Sequence, residues 1–117
     1  MKNLIQRGKQ MTWTNSTGSD VSSGQVVVVG GVVCVASTDI ADGETGELAT
    51  EEVYDLSKAT GAITQGASLY WDADGDPVGG TAGSGALTTT STDNTYAGKA
   101  WAAAASGDLL VNIKINA

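Results

Sequence analysis

Chemistry in this 117-residue sequence would have to come from carboxylates and a single thiol, because it contains no histidine. Without an imidazole, neither a Ser-His-Asp nor a Cys-His arrangement can be assembled. One cysteine and no histidine also leave zinc without a ligand set. The lone Cys34 stands inside the apolar run Val32-Val33-Cys34-Val35. That setting describes a small buried hydrophobe and not a reactive thiol, and nothing in the chain can pair with it in an internal disulfide. Gly8-Lys9 and Gly98-Lys99 are followed by Gln10 and Ala100, so no phosphate-binding loop of the G-x-x-x-x-G-K-[ST] type is present. ATP-dependent chemistry is disfavoured accordingly.

Two groups of carboxylates remain. Asp72-x-Asp74-x-Asp76 looks like the opening of an EF-hand calcium loop, but Pro77 stands where the sharp turn needs Gly. Gly83 occupies the twelfth position, where a bidentate Glu is required, so a solvated hairpin tip is the better reading. Asp39, Asp42, Glu44 and Glu47 form a second acidic group, either a solvated loop or a partner-facing patch. Paired carboxylates can hydrolyse glycosides, but they need a sugar cleft, of which three tryptophans spread along a short chain give little sign. No catalytic residue, cofactor or metal ligand is expected.

The charge balance narrows the partners. Thirteen acids against six Lys and Arg give a net charge of −7, with the cations scattered along the chain. A nucleic-acid binder needs a concentrated basic footprint, so direct DNA binding is disfavoured. Met1 to Gly8 lacks the apolar core of a signal peptide. The longest apolar run, Val26 to Ala36, is broken by Gly30-Gly31 and is far short of the ~20 residues that span a bilayer. A soluble protein made in the cytoplasm, with no membrane partner, is the expectation.

The elements that must carry these residues read as all-β, in one domain covering residues 1–117. A chain this size buries roughly 65% of its unfolded surface, enough for one modest core. That core must be largely aliphatic, since Phe is absent, and the sixteen glycines argue against long helices. Residues 1–8 form an edge strand or an N-terminal arm, and 9–117 the β domain. Met11 to Thr17 alternates like a half-buried strand. Gln25 to Val29 and Val32 to Ala36 flank Gly30-Gly31 as a hairpin that is apolar at nearly every position, so both its faces should be covered. This hairpin is the expected heart of the core.

Further along, Glu47 to Leu56 reads as one strand, and Ala67 to Trp71 as another that ends at the Asp74-Gly75 turn. Gly79 to Gly85 reads as a mobile loop leading to a short strand near Thr88. Ala100 to Ala105 has helix propensity, but its flanking glycines leave too short a segment, so Tyr96 to Ala104 reads as a strand with a single helical turn as the alternative. Leu109 to Ile115 alternates through Leu109, Val111, Ile113 and Ile115. Trp71 and Trp101 read as core, whereas Trp13, near the N-terminal edge, is the candidate interface anchor.

The order of these pieces resembles the phage capsid cement, or head decoration, family over nearly the whole chain. The motifs run from Met1-Lys2-Asn3-Leu4-Ile5-Gln6-Arg7-Gly8 and Val21-Ser22-Ser23-Gly24 to Val26-Val27-Val28-Val29-Gly30. Ala41-Asp42-Gly43-Glu44-Thr45-Gly46 and Val53-Tyr54-Asp55-Leu56-Ser57-Lys58 follow. Ile63-Thr64-Gln65-Gly66, Leu69-Tyr70-Trp71-Asp72 and Ala103-Ala104-Ala105-Ser106-Gly107-Asp108 complete the series. Each is turn chemistry joined to strand alternation, and their joint order carries the resemblance. Glu51-Glu52 before Val53 and the long Gly79 to Gly85 loop depart from the family pattern.

The resemblance implies a small β-barrel or β-sandwich with turn-rich loops and an extended N-terminal arm. It would sit on the capsid exterior of a virion, bound to the major capsid protein as a homo-oligomer (dimer or trimer), and stabilise the head against internal pressure. Such proteins are structural, so no catalytic residue is carried over. Leu4, Ile5 and Trp13 are the expected capsid or subunit contacts. A phage fibre or adhesin-type binding module is the competing reading, and a small carboxylate-dependent hydrolase or recombination factor is the third.

Overall fold

The computed structural model describes residues 8–117. Nine strands form among them: β1 (Gln10–Thr14), β2 (Val26–Val29), β3 (Val32–Ala36), β4 (Thr45–Ala49), β5 (Val53–Ser57), β6 (Ser68–Asp72), β7 (Ala86–Thr88), β8 (Thr95–Ala100) and β9 (Leu110–Ile115). They build two antiparallel sheets, ordered β1-β4-β3-β2 and β5-β9-β8-β6-β7. The sheets pack as a sandwich and do not close into a barrel.

The sequence of β3 explains the layering. β-Branched residues fit a pleated surface, and successive side chains point to opposite faces. Val33 and Val35 face the second sheet, where they join Leu56, Leu69, Leu87, Ala97, Val111, Ile113 and Ile115 in one buried cluster. Cys34 and Ala36 face the other way, into a smaller cluster with Val21, Val27, Ile40 and Leu48. That far face is covered by loops, which Val21 and Ile40 clip together through reciprocal backbone bonds of 2.9 and 2.7 Å. Both faces of β3 are covered, as its unbroken apolar run requires. Its hairpin partner β2 lies at the edge of its sheet and leaves Val28 37% exposed, so β3 alone is the heart of the core.

Two polar side chains are fully buried, and both are saturated with partners. Asn15 donates through Nδ2 to the carbonyls of Ser19 (2.8 Å) and Ile40 (2.9 Å). Its Oδ1 accepts from the Thr17 amide (3.0 Å) and hydroxyl (2.7 Å). Lys58, at the end of β5, donates through Nζ to the carbonyls of Ala105 (3.0 Å) and Ser106 (3.1 Å). It thereby ties the loop before β9 to the sheet. A buried ammonium needs such acceptors, because stripping its water without replacing those bonds costs several kcal/mol.

Four expectations are corrected. Glu47 to Leu56 is not one strand: Glu52 adopts φ 89°, and the chain passes there from the four-stranded sheet (β4) to the five-stranded one (β5). The Tyr96 to Ala104 segment is neither a full strand nor a helical turn. β8 stops at Ala100, the chain bends at Trp101, and Ala104 returns to pair with Ile63 in an isolated bridge. Trp101 is 52% exposed and not core, because that bend turns it out of the sheet. Leu109 precedes β9 and is 58% exposed, so the buried alternation begins at Val111.

Candidate functional site

The outer face of the five-stranded sheet carries the most unusual surface chemistry in the molecule. Strand alternation points Val111, Ile113 and Ile115 inward and therefore Asn112 and Lys114 outward. β8 lies beside β9 in a register that sets Lys99 directly opposite Lys114. On the other side of β8, Ser68 of β6 stands opposite Lys99. Two lysines are thus cross-strand neighbours at the centre of a sheet.

Aromatic rings surround them. The Lys99 ammonium lies 5.8 Å from the centre of the Tyr96 ring and donates to the Ser68 hydroxyl at 2.6 Å. Tyr96 meets Tyr70 edge-on, with ring centres 5.6 Å apart and planes at 72°. The Lys114 ammonium lies 5.2 Å over Trp101. Trp101 is fixed by its own backbone: its amide donates to the Asn112 carbonyl (2.8 Å) and its carbonyl accepts from the Gln65 amide group (3.2 Å). Two cation–π contacts hold both ammonium groups on this face, each worth roughly 0.5–1 kcal/mol at exposed sites. Further out on the same face, Asp55 is held by the side-chain amide of Asn112.

The candidate contacts read from the sequence fall elsewhere. Trp13 lies on β1, opposite Gly46, half-buried against the smaller cluster. It belongs to the four-stranded sheet, so the structure does not bring it to the lysine face. β1 is an edge strand of that sheet. Leu4 and Ile5, with the arm that carries them, lie outside the described residues. Of the lysine face, the outward position of Lys114 was legible from the alternation of β9. The convergence of Tyr70, Tyr96, Lys99 and Trp101 depends on register and on the bend after Ala100.

The acidic groups are occupied with their own backbone. Asp72 accepts from the Asp74 amide (3.1 Å) and Asp76 from the Gly83 amide (2.8 Å), which fastens the loop between β6 and β7. Asp39 accepts from the Ser23 amide (2.8 Å) and Asp42 from the Gly18 amide (3.1 Å). Glu47 accepts from the Thr12 hydroxyl (2.9 Å). These are turn-building contacts. Among the described residues, no three His, Cys, Asp or Glu side chains are grouped to hold a metal ion.

Cys34 is fully buried, and burial pushes its thiol above the ordinary 9.0. The neutral form is therefore favoured in the fold. Stability is unaffected at neutral pH and falls as pH rises past the unfolded value toward the higher folded one. A thiol reagent at pH 8 should leave native Cys34 unlabelled and modify it only as fast as the molecule opens. Labelling that is fast and insensitive to added denaturant would contradict this burial.

Residues 5–115 match the family model described as Phage cement protein. No curated protein and no solved structure matches the chain.

Proposed function

The chain belongs to the phage cement protein family, and from that premise, which carries a structural role on a phage capsid, we propose that it binds the exterior of the head and stabilises the shell against internal pressure. The observation that carries this reading is the exposed Tyr70, Tyr96 and Trp101 set beside paired lysines on a rigid sheet. Tyrosine and tryptophan dominate the energetics of protein interfaces, and a sheet holds them in place before contact, which lowers the ordering cost of binding. Contacts of modest strength, repeated by symmetry around a shell, add up to firm attachment.

The major capsid protein is the partner in this reading, and a homo-oligomer (dimer or trimer) is the bound form. An N-terminal arm bearing Leu4 and Ile5 would add a strand to a capsid-protein edge, with Trp13 beside it. No enzymatic step is part of the proposal.

The test is to titrate purified protein onto expanded empty heads that lack it and to count bound copies. Saturable decoration at a fixed number per capsid protein, with a raised disruption temperature of the heads, is expected. Binding to host cells in place of heads would replace this reading with an adhesin. Deletion of residues 1–8 should weaken decoration, and unchanged decoration would remove the arm from the proposal while leaving the rest.

A further inference from the structure

We propose that the lysine–aromatic face of the five-stranded sheet is the surface that meets the shell, and that it receives a carboxylate-bearing segment of the capsid protein between Lys99 and Lys114. This rests on the cement reading above and adds to it a surface and a partner chemistry.

The argument begins with a cost. Like charges directly opposite on neighbouring strands destabilise a sheet, and Lys99 and Lys114 are directly opposite in a protein whose net charge is −7. Acids are abundant in the chain, yet Ser68 and aromatic rings are what stand against these two ammonium groups. Asp55, on the same face, is held by Asn112. A cation over a ring keeps its outer side in water and available to an anion. A carboxylate from outside would remove the repulsion and make charge-assisted hydrogen bonds to both lysines. Trp101 and Tyr96 on either side supply apolar contact for the segment that carries it.

Charge complementarity selects the occupant. Nucleic acid would meet the field of a strongly acidic molecule and find two cations instead of a basic stripe. A second copy of this chain is equally acidic and repelled as a whole. Its exposed loop carboxylates Asp39 and Asp42 are already engaged by backbone amides. An acidic segment of a different protein fits.

The test compares wild type with Lys99→Gln/Lys114→Gln and with Trp101→Ala, using expanded empty heads as the probe and thermal unfolding as the control. The double variant should unfold at or slightly above the wild-type temperature, because a repulsion is removed. Its affinity for heads should fall at least tenfold, and its dependence on salt should flatten. Trp101→Ala should lose roughly 30-fold. Wild-type decoration with unchanged affinity and salt dependence in the double variant would overturn this assignment and leave the cement function standing. Failure of the wild type to decorate heads at all would instead strike the functional reading itself. Competition by duplex DNA, or lysine-dependent self-association in sedimentation, would also overturn it, in favour of those partners.

Discussion

Replacing Gly98 by alanine is expected to abolish the fold. Gly98 sits in β8 with φ 150°, a backbone region that side chains rarely enter. A Cβ built there would lie 2.1 Å from the Lys114 carbonyl oxygen and 3.0 Å from both the Asn116 nitrogen and the Ile115 Cα. All three atoms are backbone of the neighbouring segment, so no rotamer change relieves the clash. Separation requires β8 to leave β9, and the loss would spread. The Asn116 amide donates to Ala97 (2.6 Å), and its side chain donates to Val33 (2.9 Å) and Thr50 (2.7 Å), tying the second sheet to the first. Strain and overpacking of this kind cost more than about 4 kcal/mol together, a large part of the ~5–15 kcal/mol that holds a small domain folded. Circular dichroism and urea unfolding would read the effect. Gly107→Ala is the control, since nothing lies within 4 Å of a Cβ there, and it should shift stability by less than ~0.5 kcal/mol. A Gly98→Ala protein as stable as that control would show that β8 and β9 do not approach as described.

The same glycine marks where sequence reading stops. Periodicity identified β3, β9 and β6 because their side chains face a core on a strict two-residue repeat, and the Val26 to Ala36 run gave its hairpin with a turn at Gly30-Gly31. It did not separate β4 from β5, because Glu51-Glu52 reads as polar strand, and only the positive φ of Glu52 shows the crossing between sheets. Nor did it place Trp101. Four alanines beside a tryptophan suggest a ring packed on small residues, yet Ala100 and Ala104 are buried by turning the chain between them, which sends the ring outward. The lysine face was hidden for a related reason. Lys99 and Lys114 are fifteen residues apart and become neighbours only through antiparallel register, which composition and local alternation do not specify. Lys58 reads as a surface charge in a connection, and its burial depends on two carbonyls nearly fifty residues away. Turn chemistry and core faces were local, whereas the docking face and the polar ties between segments were not.

Asn15→Asp should destabilise the protein almost as severely, in a manner that depends on pH. The two side chains have nearly the same shape, so packing is preserved and the change is one of hydrogen-bond polarity. Asn15 Nδ2 points at the carbonyls of Ser19 and Ile40 from 2.8 and 2.9 Å, in a site with no solvent exposure. An ionised carboxylate there would set an oxygen against both carbonyls and bury a charge without a cation. The expected cost is about 3–5 kcal/mol at pH 7. The fold would favour the neutral acid, so the folded pKa of the introduced group lies above its unfolded value near ~3.9. Below that value the acid is protonated in both states and can still donate to one carbonyl, leaving a residual cost of about 1 kcal/mol. As pH rises through ~4 the unfolded chain ionises first, and stability relative to wild type falls until the folded group ionises too. Urea midpoints at pH 3.5 and pH 7 should therefore show the gap from wild type widening severalfold toward neutrality. A gap that stays constant across that range, or that is under ~1 kcal/mol at pH 7, would mean the Asn15 amide is not the donor that joins β1 to the loops over the smaller cluster.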